Sequence, residues 1–350
     1  MKFGYGLITA QHHPDDPRTD VEIYREGLEL AVEAERLGFA TVWTSEHHFV
    51  DDGYMPSQLP FLAAVAARTD TILLGTGVLL APMFDPLHLA EDAATVDLIS
   101  DGRLILGLGL GWRDEEFVGL GGADGHKGQR LEAIIEILRQ AWSDGLVRGD
   151  SAGVYRYPEH GLNVTPKPAR AGGPPIWLGA GAPVAVERAG RVADGYLSSR
   201  IAPAGYAERA DLVRRAAQAA GRDPAAVTLA IHVPTFAWRD GDAWATVREH
   251  AHYMSWKYSD MGDAYGSRAR RRPPRLSDED DAALRRRTIV GTPEQVAEQI
   301  EAYRDALGPD GHFIARAYFP GLDPGIQRES QQVLANDVGP LLGLTAGTST

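Results

Sequence analysis

The chain has 350 residues, no cysteine and a formal net charge of −13. That charge repels nucleic acid and anionic membranes, and the lack of cysteine excludes disulfides, thiolate metal sites and a cysteine nucleophile. Hydrophobic residues at 44% and charged residues at 24% are enough for a full globular core. No apolar run approaches the roughly 20 residues of a membrane span, and no signal peptide is recognisable, so a cytoplasmic setting is expected.

In chain order, short apolar runs alternate with helical periods. Lys2–Ile8 reads as a strand, and Tyr24–Leu37 as an amphipathic helix stopped by Gly38. A strand at Ala40–Ser45, a helix at Pro56–Arg68 and a strand at Thr71–Leu80 follow. Next come a helix at Pro86–Ile99 and a strand at Arg103–Leu108. These strands are apolar on both faces, the mark of a parallel sheet covered by helices. After a glycine-rich stretch, Arg130–Trp142 is helical, and Ser143–Pro175 is a long excursion carrying Tyr155 and Tyr157. The alternation resumes with strand Ile176–Gly179, helix Pro183–Val192, strand Gly195–Ser198, helix Ala204–Ala220 and strand Val227–Phe236. Ala243–Asp263 reads as helix. The basic run from Ser267 to Leu276 and the acidic Asp278–Asp281 read as a mobile, solvated loop that could serve as a lid. Thr292 and Pro293 open a capped helix running to Leu307, before strand Phe313–Phe319 and helix Ile326–Leu341.

Eight strand candidates, all but one followed directly by a helix, favour one α/β (β/α)₈ TIM barrel over residues 1–342. Insertions at about 112–128, 143–175 and 240–288 would lie at the C-terminal face of the strands, with a disordered tail at 343–350. A doubly wound open sheet is the alternative.

Barrel chemistry sits just after the strands. Behind the second strand stand Glu46, His47, His48 and Phe49. Consecutive histidines point to opposite faces, so a metal site is not expected here. One imidazole facing the centre suits acid–base work or contact with a cofactor. Gly75-Thr76-Gly77 and Gly107-Leu108-Gly109-Leu110-Gly111 leave room for something flat, such as an aromatic ring system, to lie against neighbouring strands. Gly179-Ala180-Gly181-Ala182 opens directly into a helix, whose free N–H groups favour an anion. An ordinary turn explains the same residues. Trp112, Tyr155, Tyr157, Trp256 and Tyr258 are candidates for lining a substrate pocket.

Taken together in this order, several stretches resemble the bacterial-luciferase-like flavin monooxygenase family. They are Glu46–Phe49 with Asp52–Ser57, Gly75–Pro82, Pro86–Asp92, Ser100–Trp112, Pro174–Gly179, Arg188-Ala189, Ala193–Gly195 and Gly291–Val296. The resemblance implies a barrel, usually dimeric, that binds FMN or the deazaflavin F420 at the strand C-termini. It makes His47 the active-site histidine, managing protons around flavin and substrate. It makes Glu46, Thr76, Gly77, Val78, Gly109, Gly179, Gly181 and Ala182 cofactor contacts, with a non-proline cis peptide at Gly77–Val78. Luciferase has a reactive cysteine where this chain has Gly109, and an arginine where it has Leu110. Arg130 is therefore the candidate for the cationic clamp on a phosphate. The Glu-His-His-Phe form of the strand-2 motif resembles the FMN members more than the F420 ones.

The function this implies is a monooxygenase that uses reduced FMN, supplied by a separate reductase, and O₂ to oxygenate a small organic substrate. Two alternatives stand beside it. One is an F420-dependent oxidoreductase transferring hydride without O₂; the other is a non-catalytic flavin-binding barrel, which an intact His47 argues against.

Overall fold

In each strand, period-two alternation sends one set of side chains into the barrel and the other toward the helices. The computed structural model describes residues 1–121, 125–151, 153–263, 266 and 269–344. Its barrel strands are β1 (Lys2–Ile8), β2 (Thr41–Thr44), β3 (Leu73–Thr76), β4 (Leu104–Gly109), β5 (Ile176–Gly179), β6 (Gly195–Ser199), β7 (Thr228–Ala237) and β8 (His312–Arg316). Every strand runs parallel to its neighbours in chain order. The ring closes where β8 pairs with both β7 and β1, His312 standing opposite Ala230 and Lys2. This is a closed eight-stranded parallel barrel, and the open-sheet alternative is excluded.

The outward set, including Tyr5, Val42, Leu74, Leu106, Tyr196 and Phe313, packs under the helices in one large core. The inward set is separate. Trp43 and Trp177 lie across the lumen with ring centroids 5.3 Å apart, among Leu7, Ile105, Leu197, Ala230 and Ile314. Glycines make room for them. A Cβ at Gly75 would come within 2.3 Å of the Trp43 indole, and one at Gly195 within 2.5 Å of Trp177.

Helices Pro86–Ile99, Pro183–Val192 and Ala243–Asp263 have the expected ends. The first helix begins earlier than its apolar period suggests, at Asp20, because Thr19 and Glu22 form a capping box in front of it. The excursion after Trp142 holds an antiparallel hairpin, Val147–Ser151 with Tyr155–Leu162.

The acidic block read as loop instead opens a helix, Asp278–Arg286, capped by the Ser277 side chain. Its acids occupy the first turn and Arg285 and Arg286 the last, so both ends complement the helix dipole. Part of the basic run and residues 345–350 of the expected tail lie outside the described residues. Within the run, Arg271 pairs with Asp260 at 2.9 Å and Arg272 with Asp15 at 2.6 Å, and both arginines stay half or more exposed. Among the described residues, no helix is long and apolar enough to cross a membrane.

Gly75→Ala is expected to lower stability by about 1–3 kcal/mol, the usual cost of overpacking a rigid core. Urea unfolding of the two proteins, compared by midpoint at constant slope, measures it.

Candidate active site

The C-terminal ends of the strands surround a cavity of about 490 Å³. From the β2 side come Ser45, Glu46 and His47; from the loop after β3, Gly77, Val78 and Leu80; from β4 onward, Gly109 to Trp112. The β5 end contributes Gly179–Gly181, and the opposite wall is Ser199, Arg200, His232 and Arg316. Tyr258, on helix Ala243–Asp263, completes the lining.

Seven of the residues expected at the site therefore share one cavity: Glu46, His47, Gly77, Val78, Gly109, Gly179 and Gly181. Trp112 and Tyr258 are there too, whereas Tyr155, Tyr157 and Trp256 do not line it. Thr76 is fully buried, its hydroxyl donating to the Gly107 carbonyl at 2.7 Å. Ala182 is the N-cap residue of helix Pro183–Val192, beside the rim and outside the lining. Arg130 also lies outside; its guanidinium donates to the Tyr155 hydroxyl at 3.4 Å. The cation beside the Gly181 turn is Arg209. A methyl at Gly181 would stand 3.8 Å from its Nη2, and its Nη1 donates to the Ser198 hydroxyl.

The glycines do less for a ligand than expected. The space beside Gly75 holds Trp43, and that beside Gly107 holds the Thr76 carbonyl. Gly109 and Gly179 both accommodate Val78, which lies against each of them. The Gly77–Val78 peptide is cis, as is Gly6–Leu7. Val78 thus forms part of the cavity floor over the indole layer.

His47 is held on several sides. Its Nδ1 lies 2.9 Å from Glu116 Oε1, which also accepts from the His48 backbone N–H at 2.9 Å. Tyr54 and Tyr258 present ring edges to it at 4.9 and 5.5 Å. Glu116 is fully buried on helix Asp114–Gly119, within the insertion expected at about 112–128. Burial opposes its ionisation, but the His47 hydrogen bond and charge, the His48 N–H and Arg113 bring its carboxyl below the ordinary 4.5. Beside His47, Glu46 is fixed by the Leu80 N–H at 2.7 Å and Gln58 at 3.1 Å.

Helix Ala243–Asp263 is pinned over this side of the mouth. Buried Lys257 pairs with Asp51 and, at 2.7 Å, with Asp260, while Arg113 Nε donates to the Met261 carbonyl at 2.8 Å. Burial alone would lower the Lys257 ammonium, but its hydrogen bonds to Asp260 and Asp51 hold it above its ordinary value. The pinning sets Tyr258 hydroxyl to hydroxyl against Tyr54, at 3.2 Å. Burial raises both phenols. For Tyr258, Arg316 and Arg200 outweigh burial and bring the group below 10.0, while Tyr54 stays well above it. Burial, then Arg316 and Arg200, hold His232 well below 6.5, so its imidazole is neutral.

The constellation is thus a histidine–carboxylate pair facing a half-apolar cavity, with a glycine turn and helix N-terminus on one flank and cations on the other. A profile of the luciferase-like monooxygenase family matches residues 1–309. The chain belongs to that family.

This family member is an oxidoreductase whose relatives divide by cofactor. The oxygenase component of a flavin-dependent trigonelline monooxygenase from Acinetobacter baylyi is 32% identical over 50% of this chain. The chain spans only about half of that relative, 48%. An F420-dependent glucose-6-phosphate dehydrogenase from Kineococcus radiotolerans is 30% identical over 98% of this chain and 97% of its own length. Among solved structures, the monooxygenase RslO1 from Streptomyces bottropensis superposes with a TM-score of 0.81 at 26% identity, covering 97% of this chain and 99% of that one.

Because Glu116 has a lowered carboxyl pKa, it contributes stability above pH 4.5 that is lost as pH falls through its folded value. Glu116→Gln should therefore be less stable than the parent near neutrality, with the gap closing in acid. Urea midpoints across that pH range read it; a gap independent of pH would contradict the charge pairing.

Proposed function

We propose that the protein is a monooxygenase that uses reduced FMN and O₂ to oxygenate a small organic substrate, with the reduced flavin delivered by a separate reductase. The observation that carries this reading is His47. It is buried, hydrogen-bonded to Glu116 through Nδ1, and exposed to the cavity on its other side. With Nδ1 held by the carboxylate, Nε2 is the ring nitrogen left to take up or release one proton at the reacting centre. Two further points favour FMN: the Glu46-His47-His48-Phe49 form of the motif, and the likeness to RslO1 and to a monooxygenase oxygenase component.

The residues present fit a flavin. Val78 and the backbones of Gly77, Gly109 and Gly179 offer a flat apolar wall, and the Gly181 turn with Arg209 offers N–H groups and a cation to a phosphate. Ala182 would add to that turn as the helix N-cap, and Glu46 would orient the loop after β3 through Leu80. Reduced flavin, when bound, supplies the electrons that activate O₂. The protein binds and orients the partners, excludes water with Trp112, Tyr258 and the apolar floor, and handles protons through His47. Thr76 would support the wall indirectly, through its bond to Gly107. A homodimer is part of the proposal through the family alone.

The second reading, an F420-dependent dehydrogenase, draws on a relative matched along nearly its whole length. In that chemistry His47 would be the proton donor or acceptor for a hydride transfer.

His47→Ala should lose turnover while holding FMN within about tenfold of the parent, or about 1.4 kcal/mol. Steady-state oxygen consumption and flavin titration separate the two effects. Normal turnover in the variant would remove His47 from the chemistry.

A further inference from the structure

Buried arginines in this protein are normally well satisfied. Arg103 makes five hydrogen bonds, to the carbonyls of Ser100, Ile72, Ala66 and Thr69 and the Thr69 hydroxyl. Arg113 likewise meets Glu115, Glu116 and the carbonyls of Met261 and His48.

Arg316 breaks the pattern. It is 1% exposed, points inward from the end of β8, and has neither Nε nor Nη2 hydrogen-bonded. What surrounds it is cationic or phenolic. Its guanidinium carbon lies 5.4 Å from the Tyr258 ring, on which Arg200 also sits at 4.5 Å, and His232 Nδ1 beside them has no partner either. The groups that act most strongly on Arg200 are Arg316, Tyr258, Tyr54 and Arg287. Glu46, the carboxylate that lines the cavity, is engaged on the β2 side by Leu80 and Gln58. Arg200 and Arg316 also line an adjoining space of about 250 Å³, together with Arg287.

Taking a guanidinium out of water without a counter-charge costs several kcal/mol, and placing two together adds repulsion. Such an arrangement is stable at a functional site when a ligand supplies the missing charge. Its unpaired N–H donors match the oxygens of a planar or tetrahedral oxyanion. In a protein of net charge −13, this local cluster would also draw anions to the mouth.

We propose that the Arg200–Arg316–His232 wall binds an oxyanion, a carboxylate, phosphate or sulfonate, carried by the substrate. The substrate's anionic end would lie against β6–β8 and its reacting carbon toward His47. This rests on the reading above, in which the cofactor occupies the β3–β5 side and its phosphate uses the Gly181 turn. The neutral His232 imidazole can donate to the same anion, and an anion there would compete with Tyr258 ionisation.

The test is calorimetric titration of inorganic phosphate, at constant ionic strength held with chloride, into protein already saturated with oxidised FMN. One phosphate should bind per chain. Arg316→Gln and, separately, the mouth residue Arg200→Gln should each weaken it by about tenfold or more, with FMN affinity unchanged within about threefold. Two variants guard against one that fails to fold, which circular dichroism reports. Equal phosphate affinity in parent and folded variants overturns the proposal, as does the absence of binding to the FMN-loaded parent. Loss of phosphate binding on saturation with FMN also overturns it, because the arginines would then belong to the cofactor. If FMN itself does not bind, the flavin reading fails. The phosphate titration on flavin-free protein still decides the arginine wall, by its sensitivity to Arg316→Gln.

Discussion

Two indoles determine how far anything can enter this barrel. Trp43 and Trp177 fill the lumen, and they lie there because Gly75 and Gly195 offer no side chain at the points they cross. Below them Trp177 packs edge-on against His312, with ring centroids 4.9 Å apart. Above them the strands diverge into a cavity, floored by Val78 and walled by whatever each strand carries at its C-terminal end. The site's depth and position follow from that plug.

The cavity is chemically lopsided. Its β3–β5 side is mostly glycine backbone and apolar side chains, Val78, Leu80, Leu110 and Ala180 among them, suited to a flat apolar ring. Its β2 corner carries the His47–Glu116 pair, in which the carboxylate holds the imidazole through Nδ1. Its β6–β8 side is cationic. Helix Ala243–Asp263 ties these parts together, because Lys257 anchors it to Asp51 and so sets Tyr258 between the histidine and the arginines. An apolar wall, a histidine–carboxylate pair and a group of arginines thus surround one space, and the proposed flavin, proton-transfer and anion roles are assigned to them in that order.

Much of this was legible in the sequence. All eight strands read correctly because parallel strands covered by helices are apolar on both faces, a signal that depends little on context. His47 was legible as a residue immediately after a strand, and Val78 through the family resemblance of the Gly75–Pro82 stretch. Glu116 was not, because it reaches His47 across 69 residues from a short helix without a clear apolar period. Arg316 sits at inward parity two places after Ile314, yet its convergence with Arg200 exists only once the barrel closes. The glycine pattern was read as space for a ligand. The structure gives most of that space to Trp43, the Thr76 carbonyl and Val78, which no local spacing rule distinguishes from a cofactor. The acidic Asp278–Asp281 looked like a loop because charge runs usually are; here they complement a helix N-terminus.

The most direct measurement is the affinity of the purified protein for reduced FMN and for F420, titrated separately under anaerobic conditions, followed by admission of O₂. The monooxygenase account predicts that reduced FMN binds tighter by about tenfold or more, and that its oxidation kinetics on the protein differ from those of free flavin. Selective binding of F420, with no effect on the reaction of reduced FMN with O₂, would contradict it and move the protein to hydride transfer.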